Sequence, residues 1–231
     1  MFYGKKKAVT FSFDDGDTQD QRLIAILNKY GLKGTFNLNS EQLGKAQSLI
    51  REDKTVAHVH PRPEEIRGLY EGHEVAAHTL THPLLTGLSD EEVIRQVECD
   101  RVNLSELVGY EVVGMAYPCG GRNHDERVAK LIEANTGIKY ARTIISTQST
   151  KPQTDLYRFH PTCHAMWTGL MPLAKAFLED DPKEDSLLYV WGHSFEFDIR
   201  EESWAEFEAF CKFISGRGDV FYGTNRECFG F

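Results

Sequence analysis

The chain of 231 residues has few of the features that mark membrane proteins or disulfide-stabilised proteins. No stretch approaches the ~20 consecutive apolar residues that a membrane-spanning helix needs, so we expect no membrane partner. The five cysteines are scattered, odd in number and without a CxxC pair, which argues against a disulfide framework or a structural zinc knuckle. No secretory signal is visible in the sequence, and with the scattered cysteines this predicts a cytoplasmic protein.

The sequence also lacks an excess of positive charge. Its 35 acidic residues outnumber its 26 basic residues, which gives a net charge of −9. Nucleic acids and anionic membranes bind basic patches, and the only basic cluster, Lys5-Lys6-Lys7, is best explained as a solvated segment before a strand. We therefore expect no nucleic-acid partner.

Internal repeats and low-complexity linkers are absent as well. The composition is that of an ordinary globular protein, 41% hydrophobic and 26% charged, and the length suits one large domain. We therefore interpret residues 1–231 as a single domain. The sequence makes no prediction about the oligomeric state.

Strand-like and helical patterns alternate along the chain, which is typical of βα units around a largely parallel sheet. Apolar runs predict strands over 8–13, 34–38, 74–77, 112–117, 139–144, 187–191 and 219–222. Helical periodicity predicts helices over 18–30, 40–51, 63–71, 89–108, 125–135, 169–178 and 202–214. Seven or eight strands with intervening helices favour an α/β fold in which the sheet forms a closed or distorted barrel.

Four short strings follow or close these strands: Phe13-Asp14-Asp15-Gly16, His78-Thr79-Leu80-Thr81-His82, Tyr117-Pro118-Cys119-Gly120 and Trp191-Gly192-His193. Ligands of such folds bind where strands lead into loops at their carboxyl ends, so we expect the four strings to converge on one rim. Together they supply two carboxylates, three imidazoles and a glycine-bearing turn. This set suits one divalent metal with acyl hydrolysis beside it.

The adjacent acids Asp14 and Asp15 come at the end of an apolar strand. They repel one another, and partial burial raises the cost of ionising both, a cost that a bound cation removes. The alternative is that both belong to the start of the following helix, whose dipole favours acids. The sequence leaves both interpretations open.

His78 and His82 form an HxxxH pair, but Pro83 disfavours helical geometry at His82. We therefore expect both rings on the loop that leaves strand 74–77. With a carboxylate from another strand end, two histidines leave positions open for water and substrate, as catalytic zinc requires. His73, on the turn before that strand, is expected to be structural or to support the ligands from outside.

The turn around Cys119 is either a plain turn or a source of main-chain N–H groups for an oxyanion. Cys119 is disfavoured as a nucleophile because nothing in the sequence activates its thiolate. His193 follows an apolar strand and is a candidate general acid, with a structural core histidine as the alternative. His164 is a candidate to line the substrate pocket.

These strings resemble the polysaccharide deacetylases with a NodB homology domain, carbohydrate esterase family 4. The likeness extends from Lys7 to about Gly216 and rests on the pairing of Thr10-Phe11-Ser12-Phe13-Asp14-Asp15-Gly16 with Gly72-His73-Glu74 and His78-Thr79-Leu80-Thr81-His82-Pro83. The resemblance implies a distorted (β/α)7–8 barrel.

The resemblance also implies roles for the site residues. It implies a divalent metal, for which we expect Zn²⁺ with Co²⁺, Mn²⁺ or Ni²⁺ as alternatives, and three ligands to it: Asp15, His78 and His82. It implies that Asp14 is the general base, that the main-chain N–H of Cys119 helps to hold the oxyanion, and that His193 is the general acid.

The chain departs from the family pattern at one position. Many members carry an arginine two residues before the motif proline, where it contacts the catalytic base, and this chain has Ala116. Arg142 and Arg158 are candidates to replace it. With Tyr117 and Pro118 of the turn, these two arginines complete the predicted substrate-binding residues.

We therefore expect a metal-dependent hydrolase that removes N- or O-linked acetyl groups from a carbohydrate. Three alternatives remain open at this point. They are a hydrolase of a non-sugar C–N amide such as a cyclic ureide, a carbohydrate-binding protein that has lost catalysis, as Ala116 suggests, and a non-haem iron oxygenase built on two histidines and one carboxylate. The βα pattern and the second acid, Asp14, speak against the oxygenase.

Overall fold

Strands and helices alternate along most of the chain in the computed structural model, which describes residues 2–151 and 153–231. The strands are β1 (Lys7–Asp15), β2 (Gly34–Leu38), β3 (Ala46–Arg51), β4 (Lys54–Val59), β5 (Glu74–Ala77), β6 (Gly114–Ala116), β7 (Tyr140–Arg142), β8 (Cys163–His164), β9 (Ser186–His193) and β10 (Val220–Tyr222). The α-helices are α1 (Asp20–Lys29), α2 (Ile66–Leu69), α3 (Asp90–Val108), α4 (Glu126–Asn135), α5 (Leu170–Glu179), α6 (Ser203–Ile214) and α7 (Asn225–Phe229). None of the helices in these described ranges combines the length and apolarity that crossing a membrane requires.

The main sheet has eight parallel strands with β1 near its centre. Its order is β7-β6-β5-β2-β1-β9-β8, and β10 pairs with the first residues of β1. β1 pairs with β9 from Lys7 to Asp14 and with β2 from Phe11 to Asp15. Because all these strands are parallel, their carboxyl ends lie along one edge of the sheet.

The segment 159–164 brings the two ends of this sheet together. The N–H of Phe159 donates to the carbonyl of Ala141 on β7 at 3.0 Å, and Cys163 on β8 pairs with Val190 on β9. The sheet is therefore curled into a distorted barrel with helices around it, and the predicted fold class is confirmed.

Alternation along β1 decides which of its side chains face the barrel interior. The rings of Phe11 and Phe207, a residue of α6, lie 6.1 Å apart in an edge-to-face contact on the outer surface of the sheet. The residue between Phe11 and Phe13 points the other way, since the hydroxyl of Ser12 accepts a hydrogen bond from Asn37 of β2 at 2.8 Å. Side chains alternate along a strand, so Asp14 follows Ser12 into the interior.

The predicted helix over 40–51 is wrong. There β3 and β4 form an antiparallel hairpin that runs from the pair Ala46–Val59 to the pair Arg51–Lys54. Glu52 and Asp53 at its tip have φ values of 49° and 62°, as a two-residue hairpin turn requires. The prediction failed because β3 is almost entirely exposed, so its apolar residues follow no buried face that would reveal the strand period.

Two further elements were not predicted. β8 has only two residues, which is too short for a periodic pattern to reveal. α7 is a five-residue helix capped by Thr224, whose hydroxyl accepts from the N–H of Glu227. Because Glu227 accepts in return from the N–H of Thr224, this is a capping box, and that spacing was the available signal.

A glycine on β6 is required by the packing of the barrel interior. A Cβ at Gly114 would overlap the ring of Tyr140, which is fully buried and donates its hydroxyl to Glu74. We expect Gly114→Ala to lower the free energy of unfolding by about 1–3 kcal/mol, because overpacking forces side chains and backbone to shift. Urea denaturation measures this change. Gly87→Ala is the control, because nothing lies within 4 Å of its Cβ, and equal stability of the two variants would contradict the prediction.

Candidate metal centre and active site

Three predicted metal ligands meet at the carboxyl end of β1. Nε2 of His78 and Nε2 of His82 each lie 3.5 Å from Oδ1 of Asp15. Ligand atoms on a tetrahedral zinc ion lie about 3.4 Å from one another, given metal–ligand distances of about 2.1 Å. The separations therefore fit a single ion held by these three side chains.

The protonation of His78 also fits a metal ligand. Its Nδ1 lies 2.9 Å from the carbonyl oxygen of Ala116, so Nδ1 carries the proton and donates it. Burial lowers the pKa of His78 to about 4, which keeps the ring neutral at pH 7. Nε2 then presents a lone pair to Oδ1 of Asp15. A nitrogen lone pair and a carboxylate oxygen face each other favourably only with a cation between them.

The backbone around this centre is held in an uncommon conformation. Four residues have φ between 62° and 74°: Asp15, Thr79, His82 and Cys119. Non-glycine residues seldom adopt positive φ, and each such residue costs on the order of 1 kcal/mol. The conformation persists only where neighbouring contacts fix it.

Buried polar side chains supply those contacts to the loop after β5. One carboxylate oxygen of Asp100, on α3, accepts from the N–H of His78 at 2.9 Å, and the other accepts from the N–H of Ser40 at 2.7 Å. The amide of Asn39 donates to the carbonyls of His78 and Thr79. The loop that carries His78 and His82 is therefore fixed by the core beneath it.

Asp14 lies inside the barrel in contact with Arg142. Nη2 of Arg142 contacts both carboxylate oxygens of Asp14, and both side chains are almost completely buried. The amide of Asn37 donates to Oδ1 of Asp14 at 2.8 Å. Arg142 on β7 is the Cα partner of Ala116 on β6. The guanidinium therefore comes from the strand next to the one that carries Ala116, at the same level of the sheet.

The other predicted substrate-binding residues lie in different surroundings. Arg158 pairs with Asp155 at 2.8 Å near the surface. Tyr117 is buried and donates its hydroxyl to the carbonyl of Tyr157, and Pro118 is buried too. Arg142, Tyr117 and Pro118 are thus buried, whereas Arg158 lies near the surface, and a substrate contact of any of them stays a prediction.

The turn after β6 presents a main-chain donor to the predicted metal ligands. The N–H of Cys119 points at Nε2 of His82, with 3.4 Å between the two nitrogens. Burial raises the pKa of the Cys119 thiol, which disfavours a thiolate nucleophile. The geometry thus agrees with a main-chain role for this residue.

His193, at the end of β9, lies opposite the predicted metal ligands. Its Nε2 is 3.9 Å from Oδ2 of Asp14 and 4.0 Å from Oδ2 of Asp15. Its Nδ1 is 3.3 Å from Oε2 of Glu196. Burial alone would lower the pKa of His193, but the nearby negative charge of Glu196, together with those of Asp15 and Asp14, raises it to about 10. His193 is therefore protonated at neutral pH.

Glu196 is a site residue that sequence reasoning missed. It lies on the 3-10 turn Ser194–Asp198, and its Oε2 contacts Nε2 of His164 at 3.1 Å as well as Nδ1 of His193. It also accepts from the N–H of His193 at 3.1 Å. An acid three residues after a strand-ending histidine was the available signal, since a single turn returns such a residue to its neighbour.

The chain belongs to the polysaccharide deacetylase family, since the model of that family matches residues 3–141. The family resemblance inferred from the four strings is thereby confirmed. The matched region contains β1, the HxxxH loop and the turn at Cys119, and His193 lies beyond it.

Two curated relatives match part of the chain. Peptidoglycan-N-acetylmuramic acid deacetylase PdaC of Bacillus subtilis is 31% identical over 124 residues, which cover 53% of this chain and 23% of that protein. Peptidoglycan-N-acetylglucosamine deacetylase PgdA of Listeria monocytogenes is 24% identical over 147 residues, which cover 63% of this chain and 27% of that protein. The chain thus matches about a quarter of the length of these relatives.

A solved structure shares the fold. A family 4 acetyl xylan esterase from Clostridium thermocellum, in complex with a cobalt ion, superposes with a TM-score of 0.60 at 14% identity, covering 96% of this chain and 90% of that chain. At this identity the likeness concerns the fold, and it agrees with the distorted barrel described above.

The buried pair of Asp14 and Arg142 gives a stability prediction. We expect Arg142→Met to lower the free energy of unfolding by about 3–5 kcal/mol, because Asp14 is left as a buried charge without a partner. The double variant Asp14→Asn with Arg142→Met should recover most of the loss, as measured by urea denaturation. Arg158→Met is the control and should cost no more than about 1 kcal/mol, since its ion pair is exposed. A double variant as unstable as the single one would contradict the assignment.

The contact between Glu196 and His193 gives a titration prediction. Removing a neighbouring negative charge disfavours the protonated imidazole, so Glu196→Gln should lower the pKa of His193 by about one unit or more. NMR titration of the imidazole in the metal-free protein measures this shift. Glu206→Gln, a change of an exposed acid, is the control. An unchanged pKa in Glu196→Gln would show that Glu196 does not set the charge of His193.

Proposed function

We propose that this chain is a metal-dependent hydrolase that removes acetyl groups from a carbohydrate. The observation that carries the proposal is the 3.5 Å spacing of the Asp15, His78 and His82 ligand atoms at a rim where Asp14 and His193 also lie. Membership in the polysaccharide deacetylase family supports a sugar substrate. The names of the two curated relatives favour an N-acetyl group on an amino sugar.

Asp15, His78 and His82 are the residues proposed to hold the ion, for which we infer zinc, with cobalt, manganese or nickel as replacements. A divalent ion bound there would activate a water molecule and polarise the acetyl carbonyl. One carboxylate and two imidazoles leave coordination positions open, as a catalytic site requires.

Asp14 is proposed as the general base. Arg142 and Asn37 fix its carboxylate, and this orientation lets it accept a proton from the water that attacks the acetyl carbon. The two adjacent acids then differ in role because they differ in surroundings. Asp15 faces the ring nitrogens of two histidines, and Asp14 faces a guanidinium.

The remaining two groups act on the substrate oxygen and on the leaving group. The N–H of Cys119 donates to the carbonyl oxygen as it gains negative charge. Nε2 of protonated His193 gives its proton to the departing amine or alcohol, while Glu196 holds Nδ1 on the other side of the ring. The products are acetate and the free amino or hydroxyl group of the sugar.

The proposal predicts that activity depends on both the metal and Asp14. Chelated protein should release no acetate from acetylated chito-oligosaccharides or acetylated xylan, and one equivalent of zinc should restore release. Asp14→Asn should retain zinc and lower kcat by about 10²–10⁴-fold, because a positioned general base contributes that much. Asp53→Asn at the exposed hairpin tip is the matched control and should keep full activity.

Several results would contradict this function. Full turnover by chelated protein or by Asp14→Asn would remove the proposed metal or base. Glycan binding without acetate release, with zinc, cobalt or manganese supplied, would identify a carbohydrate-binding protein instead. Hydrolysis of allantoin-like ureides but of no acetylated sugar would identify a non-sugar amidase, and oxygen uptake with iron would identify an oxygenase.

A further inference from the structure

The hairpin of β3 and β4 connects the first and last loops of the site. The N–H of Thr18, just after β1, donates to the carbonyl of Val59 at 2.8 Å. Val56 on β4 forms a buried cluster with Phe195 and Ile199, which follow His193. β4 is therefore fixed against the segments that carry the proposed metal ligand of β1 and the proposed general acid.

His58 is the polar side chain that β4 turns toward this site. Along β4, Val56 and His58 are buried, whereas the alternate residues Thr55 and Ala57 are exposed. The strand therefore has an inner and an outer face. Nδ1 of His58 lies 2.8 Å from Oδ1 of Asp17, and its ring packs edge-on against Phe195 at 5.5 Å between centroids.

These contacts leave one ring nitrogen of His58 available. Nδ1 is sealed from solvent beside Asp17, whereas Nε2 is not sealed and has no hydrogen-bond partner in the described part of the chain. A ligand-type atom of Asp15 lies within 4.8 Å of those of His58 and Asp17. An imidazole fixed on one side and open on the other thus lies next to a proposed metal ligand.

A second metal ion shared by Asp15, Asp17 and His58 is the obvious alternative. Two ligand atoms on one tetrahedral zinc ion lie about 3.4 Å apart. The 2.8 Å between Nδ1 of His58 and Oδ1 of Asp17 is shorter than this and corresponds to direct contact between the two side chains. His58 and Asp17 therefore form a pair of their own, unlike the ligands spaced by 3.5 Å around Asp15.

We propose that His58 determines specificity by hydrogen-bonding, through Nε2, a hydroxyl group on the sugar that carries the scissile acetyl group. This inference rests on the proposed function, because an acetyl group held beside Asp15 brings its sugar ring to His58. Asp17 and Phe195 fix the imidazole before the substrate arrives, so little side-chain freedom is lost on binding. A site built to bind a hydroxyl discriminates against analogues that lack it.

The test compares two substrates in wild type and His58→Ala. On an acetylated chito-oligosaccharide we expect kcat/KM to fall by about tenfold or more, mainly through KM, because one hydrogen bond to the sugar is lost. On an aryl acetate, which has no sugar, kcat/KM should stay within about twofold, since the reacting groups are unchanged. Zinc content should equal that of wild type.

Two further variants serve as controls for this comparison. Thr55→Ala changes an outward side chain of the same strand and should leave both substrates unaffected. His58→Gln keeps a polar group at the position and should recover part of the loss on the oligosaccharide, which a variant that merely fails to fold would not do. Thermal melting of all three variants reports on folding separately.

Three results would overturn the inference. Equal losses on both substrates would make His58 part of the reacting machinery, loss of zinc would make it a metal ligand, and no loss on either would remove its contact with the sugar. If the wild-type protein releases acetate from neither substrate, the proposed function is wrong, and this inference falls with it. A defect confined to the variant concerns His58 alone.

Discussion

The site depends on the register of β1 between its two neighbours. Asp14 is the Cα partner of Asn37 on β2 and of His193 on β9, so three polar residues stand at one level of the sheet. A shift of one residue in β1 would turn Asp14 away from the interior and bring Phe13 into its place. The rings of Phe11 and Phe13 pack under α6 and prevent such a shift, because it would expose them to the polar interior.

The backbone conformation that positions the side chains of this rim is unfavourable, and buried polar groups stabilise it. The left-handed residues of the loop after β5 are unfavourable in isolation, and Asp100 and Asn39 hold this loop through hydrogen bonds to its main chain. These anchors are themselves buried, and each would be costly without its partners. The loops and their anchors therefore stabilise one another, which fixes His78 before any ligand arrives.

Contacts that follow from local pattern could be predicted from the sequence, and contacts made across the barrel could not. The strands predicted just before Asp14, His78 and His193 indicated a shared rim, because the carboxyl ends of parallel strands necessarily lie along one edge of the sheet. Arg142 lies 128 residues from Asp14, and its choice over Arg158 depends on strand order. The hairpin that carries His58 was missed because β3 is almost entirely exposed and the buried face of β4 carries a histidine beside Val56, so neither strand shows a clear apolar alternation.

The absence of an arginine at position 116 does not by itself indicate a site without catalysis. Neighbouring parallel strands turn residues at one level to the same side of a sheet, and Ala116 and Arg142 are such partners. Strands lie about 4.8 Å apart, a distance that the long side chain of an arginine can span. The positive charge beside Asp14 is thus retained from β7, and the small residue on β6 still uses its carbonyl to fix the tautomer of His78. Because the charge beside Asp14 and the hydrogen bond to His78 are both present, Ala116 no longer favours a binding protein over an enzyme.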